Sequence, residues 1–191
     1  MTTVLHQERL AAVVSEVTRD QPTTVLDLGC GDGELMLRLA AMPGLSRLVG
    51  CDTCHGSLAR LRQRLNGAEL RLASVLDPPA DLAGFDCAAL VEVIEHLDPS
   101  HLSKLERAVC RTLRPAKIVV TTPNAEFNPL LGVPAHRFRH PDHKFEWPRA
   151  KFRTWAGRMA AAHGYDVTFA DLGGQHPMLG GPSQMAVMRR R

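Results

Sequence analysis

The sequence predicts an α/β domain whose sheet is mostly parallel and carries helices on both faces. Three observations predict it. Strand-like apolar stretches alternate with stretches of helical period along the chain. A glycine-rich turn joins the first strand to its helix, at the end of the sheet where wound α/β folds bind ligands. Phe85–Val93 is apolar almost without a break, the pattern of a strand covered on both sides.

The elements follow in order. Leu5–Val17 sets Leu10, Val13, Val14 and Val17 at helical spacing, so a helix leads into the first strand, Val25–Leu28. Gly29, Gly31 and Gly33 then turn the chain into the helix Leu35–Ala40. Arg47–Cys51 is the second strand and ends at Asp52; Leu58–Leu65 is a basic amphipathic helix, and Glu69–Val75 the third strand. After Phe85–Val93, Pro99–Leu113 reads as a helix and Lys117–Thr122 as the fifth strand. Phe145–His163 is the last helix, closed by Gly164, and strands at Tyr165–Ala170 and Met185–Met188 complete the sheet. No repeat, low-complexity run or linker interrupts the pattern, so residues 1–191 are expected to form a single domain.

Composition narrows the function classes. A chain of 191 residues with 45% hydrophobic content can build one sizeable core. Lys+Arg 23 against Asp+Glu 20 gives a net charge of +3, too mild for a protein coated in nucleic acid. The charge is nevertheless uneven: Arg137, Arg139, Lys144, Arg149, Lys151, Arg153 and Arg158 crowd into one stretch. No apolar run approaches the ~20 residues of a membrane span, and Met1–Asp20 lacks the layout of a signal peptide. Cys30, Cys51, Cys54, Cys87 and Cys110 are odd in number and mostly embedded in apolar runs. Cys51 and Cys54 form a C-x-x-C with no second pair to complete a zinc site. These are read as reduced thiols of a cytoplasmic protein without a membrane partner.

Chemistry gathers at three places. The glycine turn presents free backbone N–H groups to whatever binds there. Its third glycine comes one residue early for the dinucleotide fingerprint G-x-G-x-x-G. Asp52 stands at the end of the second strand, about twenty residues on, where an acid accepts hydrogen bonds from ribose hydroxyls; its alternative role is to cap the following helix. Ser74, Val75 and Leu76 would lie beside an adenine. Glu92, Glu95 and His96 form the second place: if the chain turns helical there, the i, i+3, i+4 spacing puts two carboxylates and an imidazole on one face. Taken alone, such acids often pack or cap instead. The third is His136–Trp147, with His136, His140 and His143 interleaved with basic and aromatic residues. It can supply a further metal ligand, phosphate contacts from Arg137, Arg139 and Lys144, and rings (Phe138, Phe145, Trp147) that stack on a base or anchor the loop.

D-L-G-C-G-D-G after a strand resembles motif I of class I S-adenosylmethionine-dependent methyltransferases. Together with E-V-I-E-H-L, T-T-P-N-A-E-F-N and F-R-H-P-D-H-K-F-E-W, the sequence resembles the Hua-enhancer type of RNA 3′-terminal 2′-O-methyltransferase over nearly its whole length. Leu5-His6-Gln7-Glu8-Arg9 approximates the family's L-x-x-Q-R start, with Glu8 where the family has Gln. The resemblance implies a Rossmann-like class I methyltransferase fold with a seven-stranded, mostly parallel sheet. It implies S-adenosylmethionine held through Asp27, Gly29, Gly31, Asp52, Ser74 and Val75. It implies Mg²⁺ or Mn²⁺ on Glu92, Glu95, His96 and His143, with His140 the alternate for the last ligand. The substrate implied is an RNA 3′ end, single-stranded or nicked, and the bacterial partner a polynucleotide kinase-phosphatase. The companion domain that bacterial members carry ahead of the methyltransferase is missing, so the chain is expected to be a catalytic fragment or a short member.

The expected reaction is attack by a ribose 2′-oxygen on the cofactor's methyl group. A divalent cation lowers the pKa of an oxygen it touches, and a terminal 2′,3′-diol can chelate where an internal nucleotide cannot. Glu92, His96, His140 and His143 are the catalytic candidates; an imidazole not committed to metal would take the proton. Thr121, Thr122, Pro123 and Asn124 would line the same cleft. Two rivals stand beside this reading: a metal-independent small-molecule O-methyltransferase, and a non-catalytic RNA- or cofactor-binding module.

Overall fold

A computed structural model describes residues 4–65 and 67–191. Seven strands form one sheet: β1 (Thr24–Leu28), β2 (Arg47–Asp52), β3 (Glu69–Leu72), β4 (Cys87–Val91), β5 (Lys117–Pro123), β6 (Tyr165–Leu172) and β7 (Ser183–Arg190). Their order is β3-β2-β1-β4-β5-β7-β6. The first five pair in parallel, while β7 runs antiparallel between β5 and β6. This is the Rossmann-like, seven-stranded and mostly parallel α/β architecture expected from the sequence. The order reverses between β1 and β4, so both strands deliver their carboxyl ends to the place where such sheets bind ligands.

Five α-helices cover the two faces: α1 (Val4–Thr18), α2 (Glu34–Ala40), α3 (His55–Arg64), α4 (Leu102–Arg107) and α5 (Arg149–His163). Alternation along β1 sorts its side chains: Val25 packs with α1, α2 and α3, whereas Leu26 and Leu28 pack with α4 and α5. Every residue of β5 is buried, which is why its sequence reads as a continuous apolar run ending in threonines. Among the described residues no helix is long and apolar enough to cross a membrane.

Four expected elements differ in detail. The third strand stops at Leu72, where Ala73 donates its N–H to the Asp52 carbonyl at 3.0 Å, and Ser74–Val75 leave the sheet. The fourth strand spans only Cys87–Val91 because Glu92 adopts a left-handed backbone, φ 55°. The helix after Pro99 is α-helical only over Leu102–Arg107 and widens into a π-helical turn at Ala108–Leu113. The last helix begins at Arg149 rather than Phe145. Pro148 biases the residue before it toward extended backbone, and the Phe145 and Trp147 rings stack at 4.3 Å in the preceding loop.

Candidate active site

The glycine turn follows β1 because three successive odd positions need positive φ: Gly29 at 80°, Gly31 at 51° and Gly33 at 81°. A Cβ on Gly29 would sit 2.7 Å from Val93 Cγ2, and one on Gly33 would sit 2.2 Å from Leu61 Cδ1. Gly31 differs: nothing lies within 4 Å of its missing Cβ. That open space belongs to a cavity of about 450 Å³. Gly29, Gly31, Asp52, Ser74 and Val75 line the cavity, together with Glu92 and His96.

Asp52 accepts backbone N–H groups from Gly31 at 2.8 Å and Cys54 at 2.7 Å, so its carboxylate holds the turn and faces the cavity. It does not cap α3: the N-cap there is Cys54, with no side-chain cap hydrogen bond. Asp27 is buried beneath the turn and does not line the cavity. Burial, and secondarily the Asp52 charge, pushes its pKa up to about 7. Cys30, Cys51, Cys87 and Cys110 are buried thiols and Cys54 is an exposed one; all five are free.

The E-x-x-E-H segment does not form the α-helical face anticipated. Glu92 is left-handed, and Ile94–His96 make a single 3-10 turn. Threonines at the end of β5 receive both acids: Thr121 Oγ1 donates to Glu92 Oε1 at 3.0 Å, and Thr122 Oγ1 donates to Glu95 Oε2 at 3.0 Å. Arg9, delivered by α1, pairs with Glu92 at 3.2 Å. Glu95 is 0% exposed. Burial raises the pKa of both acids, and the Glu92 charge raises that of Glu95 further. Glu95 Oε1 has no hydrogen-bond partner among the described residues. A half-buried and a fully buried carboxylate beside each other, the second with an orphaned oxygen, are the donor set a divalent cation satisfies.

His96, His140 and His143 bring ligand nitrogens within 4.8 Å of one another. The glutamates stand outside that group, although Glu92 and His143 feel each other's charge. Burial, then the neighbouring imidazoles, lowers the His96 pKa. The loop is pinned to the acid turn by Lys144, whose N–H donates to the Glu95 carbonyl at 2.7 Å. His143 contacts Glu146 through Nδ1, whereas His140 stays exposed.

The remaining expected contacts divide. Arg137 is exposed, and Phe138 is 45% exposed. Arg139 is turned inward: Nε donates to Asn128 Oδ1 at 2.6 Å, Nη1 to the Pro182 carbonyl at 2.6 Å and Nη2 to the Asn124 carbonyl. It is a structural arginine, not a free phosphate contact. Phe145 and Trp147 are buried anchors. Asn124 is buried and donates to the Leu179 and Gly181 carbonyls, so it braces loops instead of lining the cavity. Glu8 is exposed, while its neighbour Gln7 accepts from Arg38. Sequence reasoning assigned no role to Arg9 or Glu146. The H-x-x-E spacing from His143 was the only local signal for the second.

A methyltransferase-domain family model matches residues 25–116, the stretch from β1 to the start of β5. The small RNA 2′-O-methyltransferase of Rattus norvegicus is 38% identical over 183 residues, covering 88% of this chain and 46% of that protein. That of Arabidopsis thaliana is 31% identical over 212 residues, covering 97% of this chain and 22% of that protein. The chain thus spans half or less of the length of these curated relatives. Among solved structures, the methyltransferase domain of bacterial CtHen1 is 34% identical and superposes with a TM-score of 0.87 over 97% of this chain and 98% of that one. The small RNA methyltransferase HEN1 is 30% identical, with a TM-score of 0.88 over 98% of this chain and 26% of that one. A match of this identity along nearly the whole of two chains shows that the protein belongs to the Hen1 family of methyltransferases.

Proposed function

We propose that this chain, as a single methyltransferase domain over residues 1–191, transfers the methyl group of S-adenosylmethionine to the 2′-hydroxyl of an RNA 3′-terminal ribose. One observation carries the reading: a single cavity is lined both by Gly29, Gly31, Asp52, Ser74 and Val75 and by Glu92 and His96. The names of the relatives, small RNA 2′-O-methyltransferases, agree with it.

The cofactor's ribose would meet Asp52, with its adenine beside Ser74 and Val75; Asp27 supports the turn from below. Glu92, Glu95, His96 and His143 would hold Mg²⁺ or Mn²⁺, two carboxylates with two imidazoles tilting the set toward Mn²⁺. When bound, a divalent cation lowers the pKa of an oxygen it touches. The chain's residues do the rest. Thr121 and Thr122 fix the carboxylates, and Arg9 offsets the charge of Glu92. His140, exposed beside His96 and His143, would turn a ring nitrogen to the 2′-hydroxyl and take its proton. The methyl group passes to the 2′-oxygen, and the sulfur–carbon bonding pair stays on sulfur as the neutral thioether. Exposed Arg137 would contact backbone phosphate and Phe138 a base.

The Pnkp1/Rnl/Hen1 RNA repair complex contains a chain 25% identical, with a TM-score of 0.75 over 100% of this one and 42% of that one. We read this as support for a polynucleotide kinase-phosphatase repair partner. The free cysteines fit a cytoplasmic setting.

Methyl transfer to a defined RNA, compared with 3′-deoxy and 3′-phosphate ends, tests the reading. Only the free 2′,3′-diol is expected to react. Chelation should abolish turnover while sparing S-adenosylhomocysteine affinity, and Mn²⁺ should restore it at least as well as Mg²⁺. Full activity in excess EDTA would overturn the metal site, whereas no transfer to any RNA end would favour a metal-independent small-molecule O-methyltransferase.

A further inference from the structure

We infer that Glu146 is the positioning residue for His143: an acceptor-only clamp that holds the ring with its Nδ1 proton on the carboxylate and its Nε2 lone pair turned to the site. The assignment rests on the metal reading above but is carried by its own geometry. His143 Nδ1 lies 2.6 Å from Glu146 Oε1, with the two side chains only 7% and 1% exposed. The same Oε1 accepts the Arg139 backbone N–H at 2.7 Å, and Oε2 accepts Asn128 Nδ2 at 2.6 Å.

The orientation of Asn128 is forced. Its Oδ1 accepts Arg139 Nε at 2.6 Å, and an arginine nitrogen can only donate, so the NH₂ half of the amide must face Glu146. Arg139 cannot swing away to relax this, because its other nitrogens donate to the Pro182 and Asn124 carbonyls. Two of the groups meeting Glu146 are therefore donors whatever the state of His143. A carboxylate accepts from both and has capacity left for the imidazole. Glutamine, of the same shape, would turn an NH₂ onto one of those donors. With a carboxylate at 2.6 Å, the ring must donate from Nδ1, which leaves Nε2 unprotonated and available as a ligand.

His140 has no such clamp. Its Nδ1 accepts the Asp142 backbone N–H at 3.2 Å, and its side chain is 54% exposed. The two histidines of the loop thus differ in kind: one is held in a single tautomer, the other can reorient. Carboxylate–imidazole pairs of this type fix the tautomer and orientation of metal-ligating histidines, and losing the outer partner weakens metal affinity about 10–100-fold.

The test uses the metal-free chain and Glu146→Gln. Nitrogen-15 NMR of the imidazoles at about pH 8, where an ordinary histidine is neutral, should show wild-type His143 protonated on Nδ1, with the resonance assigned by its loss in His143→Ala. Glu146→Gln should shift it to a mixture of tautomers or to Nε2–H. Mn²⁺ titration by electron paramagnetic resonance should show affinity falling about 10–100-fold in Glu146→Gln, with S-adenosylhomocysteine affinity unchanged as the sign of an intact fold. A wild-type ring protonated on Nε2 overturns the inference by itself, even if the variant does not fold. Unchanged Mn²⁺ affinity in Glu146→Gln, when His143→Ala has lost it, overturns the clamp and leaves the metal site standing. A wild type that binds no Mn²⁺ removes the metal reading, and the Nδ1 tautomer then decides the clamp alone.

Discussion

Gly31 and Gly33 sit two residues apart in one turn, both at positive φ (51° and 81°), yet an added methyl group meets different surroundings at each. At Gly33 it would lie 2.2 Å from Leu61 Cδ1 and 2.9 Å from Leu61 Cγ. Leu61 is fully buried, so it could shift only against packed neighbours. At Gly31 the new carbon has nothing within 4 Å. Both substitutions carry the left-handed backbone cost of roughly 1–2 kcal/mol, and overpacking against Leu61 adds roughly 1–3 kcal/mol at Gly33. A domain of this size loses about 2–4 °C of melting temperature per kcal/mol. Gly31→Ala should therefore melt roughly 2–8 °C lower and Gly33→Ala roughly 4–20 °C lower. Ligand binding should rank the two the other way. The Gly31 N–H to Asp52 survives the change, but the methyl group enters the cavity; a clash of roughly 1–3 kcal/mol there weakens S-adenosylhomocysteine about 5–150-fold. Differential scanning fluorimetry and isothermal calorimetry read the two quantities separately. Gly31→Ala with undiminished affinity would refute the assignment of that open space to the cofactor.

Asp52→Ala should weaken S-adenosylhomocysteine about tenfold or more, since hydrogen bonds to a charged group contribute about 1.5–3 kcal/mol; unchanged calorimetric affinity would remove Asp52 from the site. Asp27 keeps its proton up to about pH 7 in the folded chain, whereas an ordinary aspartic acid loses it near 3.8. Its contribution is thus complete below the lower value and lost as pH rises through the upper one. Asp27→Asn should gain stability over wild type between about pH 4 and 7, by at most a few kcal/mol, and a pH-independent difference in urea unfolding would contradict this. RNA affinity should fall with salt, and Arg137→Ala should reduce the slope of log affinity against log salt by about one; a salt-independent affinity would exclude phosphate contacts. Arg139→Ala should instead lower the unfolding free energy by roughly 1–3 kcal/mol, because buried carbonyls lose their donor. A melting temperature equal to wild type would argue against its inward role.

What could be read from the sequence was whatever depends on near neighbours. Gly29, Gly31 and Gly33 after an apolar strand specify a turn and an open ligand edge, and Asp52 follows at the end of the next strand. The burial of β4 and β5 shows directly in their composition. Pairings that depend on distant chain segments were not legible. Arg9 reaches Glu92 only because α1 packs beside β5, and nothing near either residue announces it. The left-handed Glu92 broke the helical face inferred from E-x-x-E-H, since spacing carries no information about φ. Arg139 looked like its exposed neighbour Arg137, and only the carbonyls of Asn124 and Pro182 distinguish them. Phe145 and Trp147 fall ahead of the last helix and not within it, because Pro148 sets the boundary.

The insertion of β7 between β5 and β6 has a consequence for how the chain is made. Synthesis runs from the amino end, and β1 to β5 can assemble as soon as they emerge. The outer edge of β5 then stays unpaired while α5, β6 and the intervening loops are still being added. β5 carries Thr121 and Thr122, which fix the two glutamates of the site. An unpaired apolar edge is a template for wrong partners, and here it persists until residues 183–190 arrive and bond along its full length. The nascent protein therefore passes through a stage in which the cavity-lining residues are already in place and a sticky margin is exposed. Chaperone contact during translation should concentrate in that interval and end when the seventh strand docks.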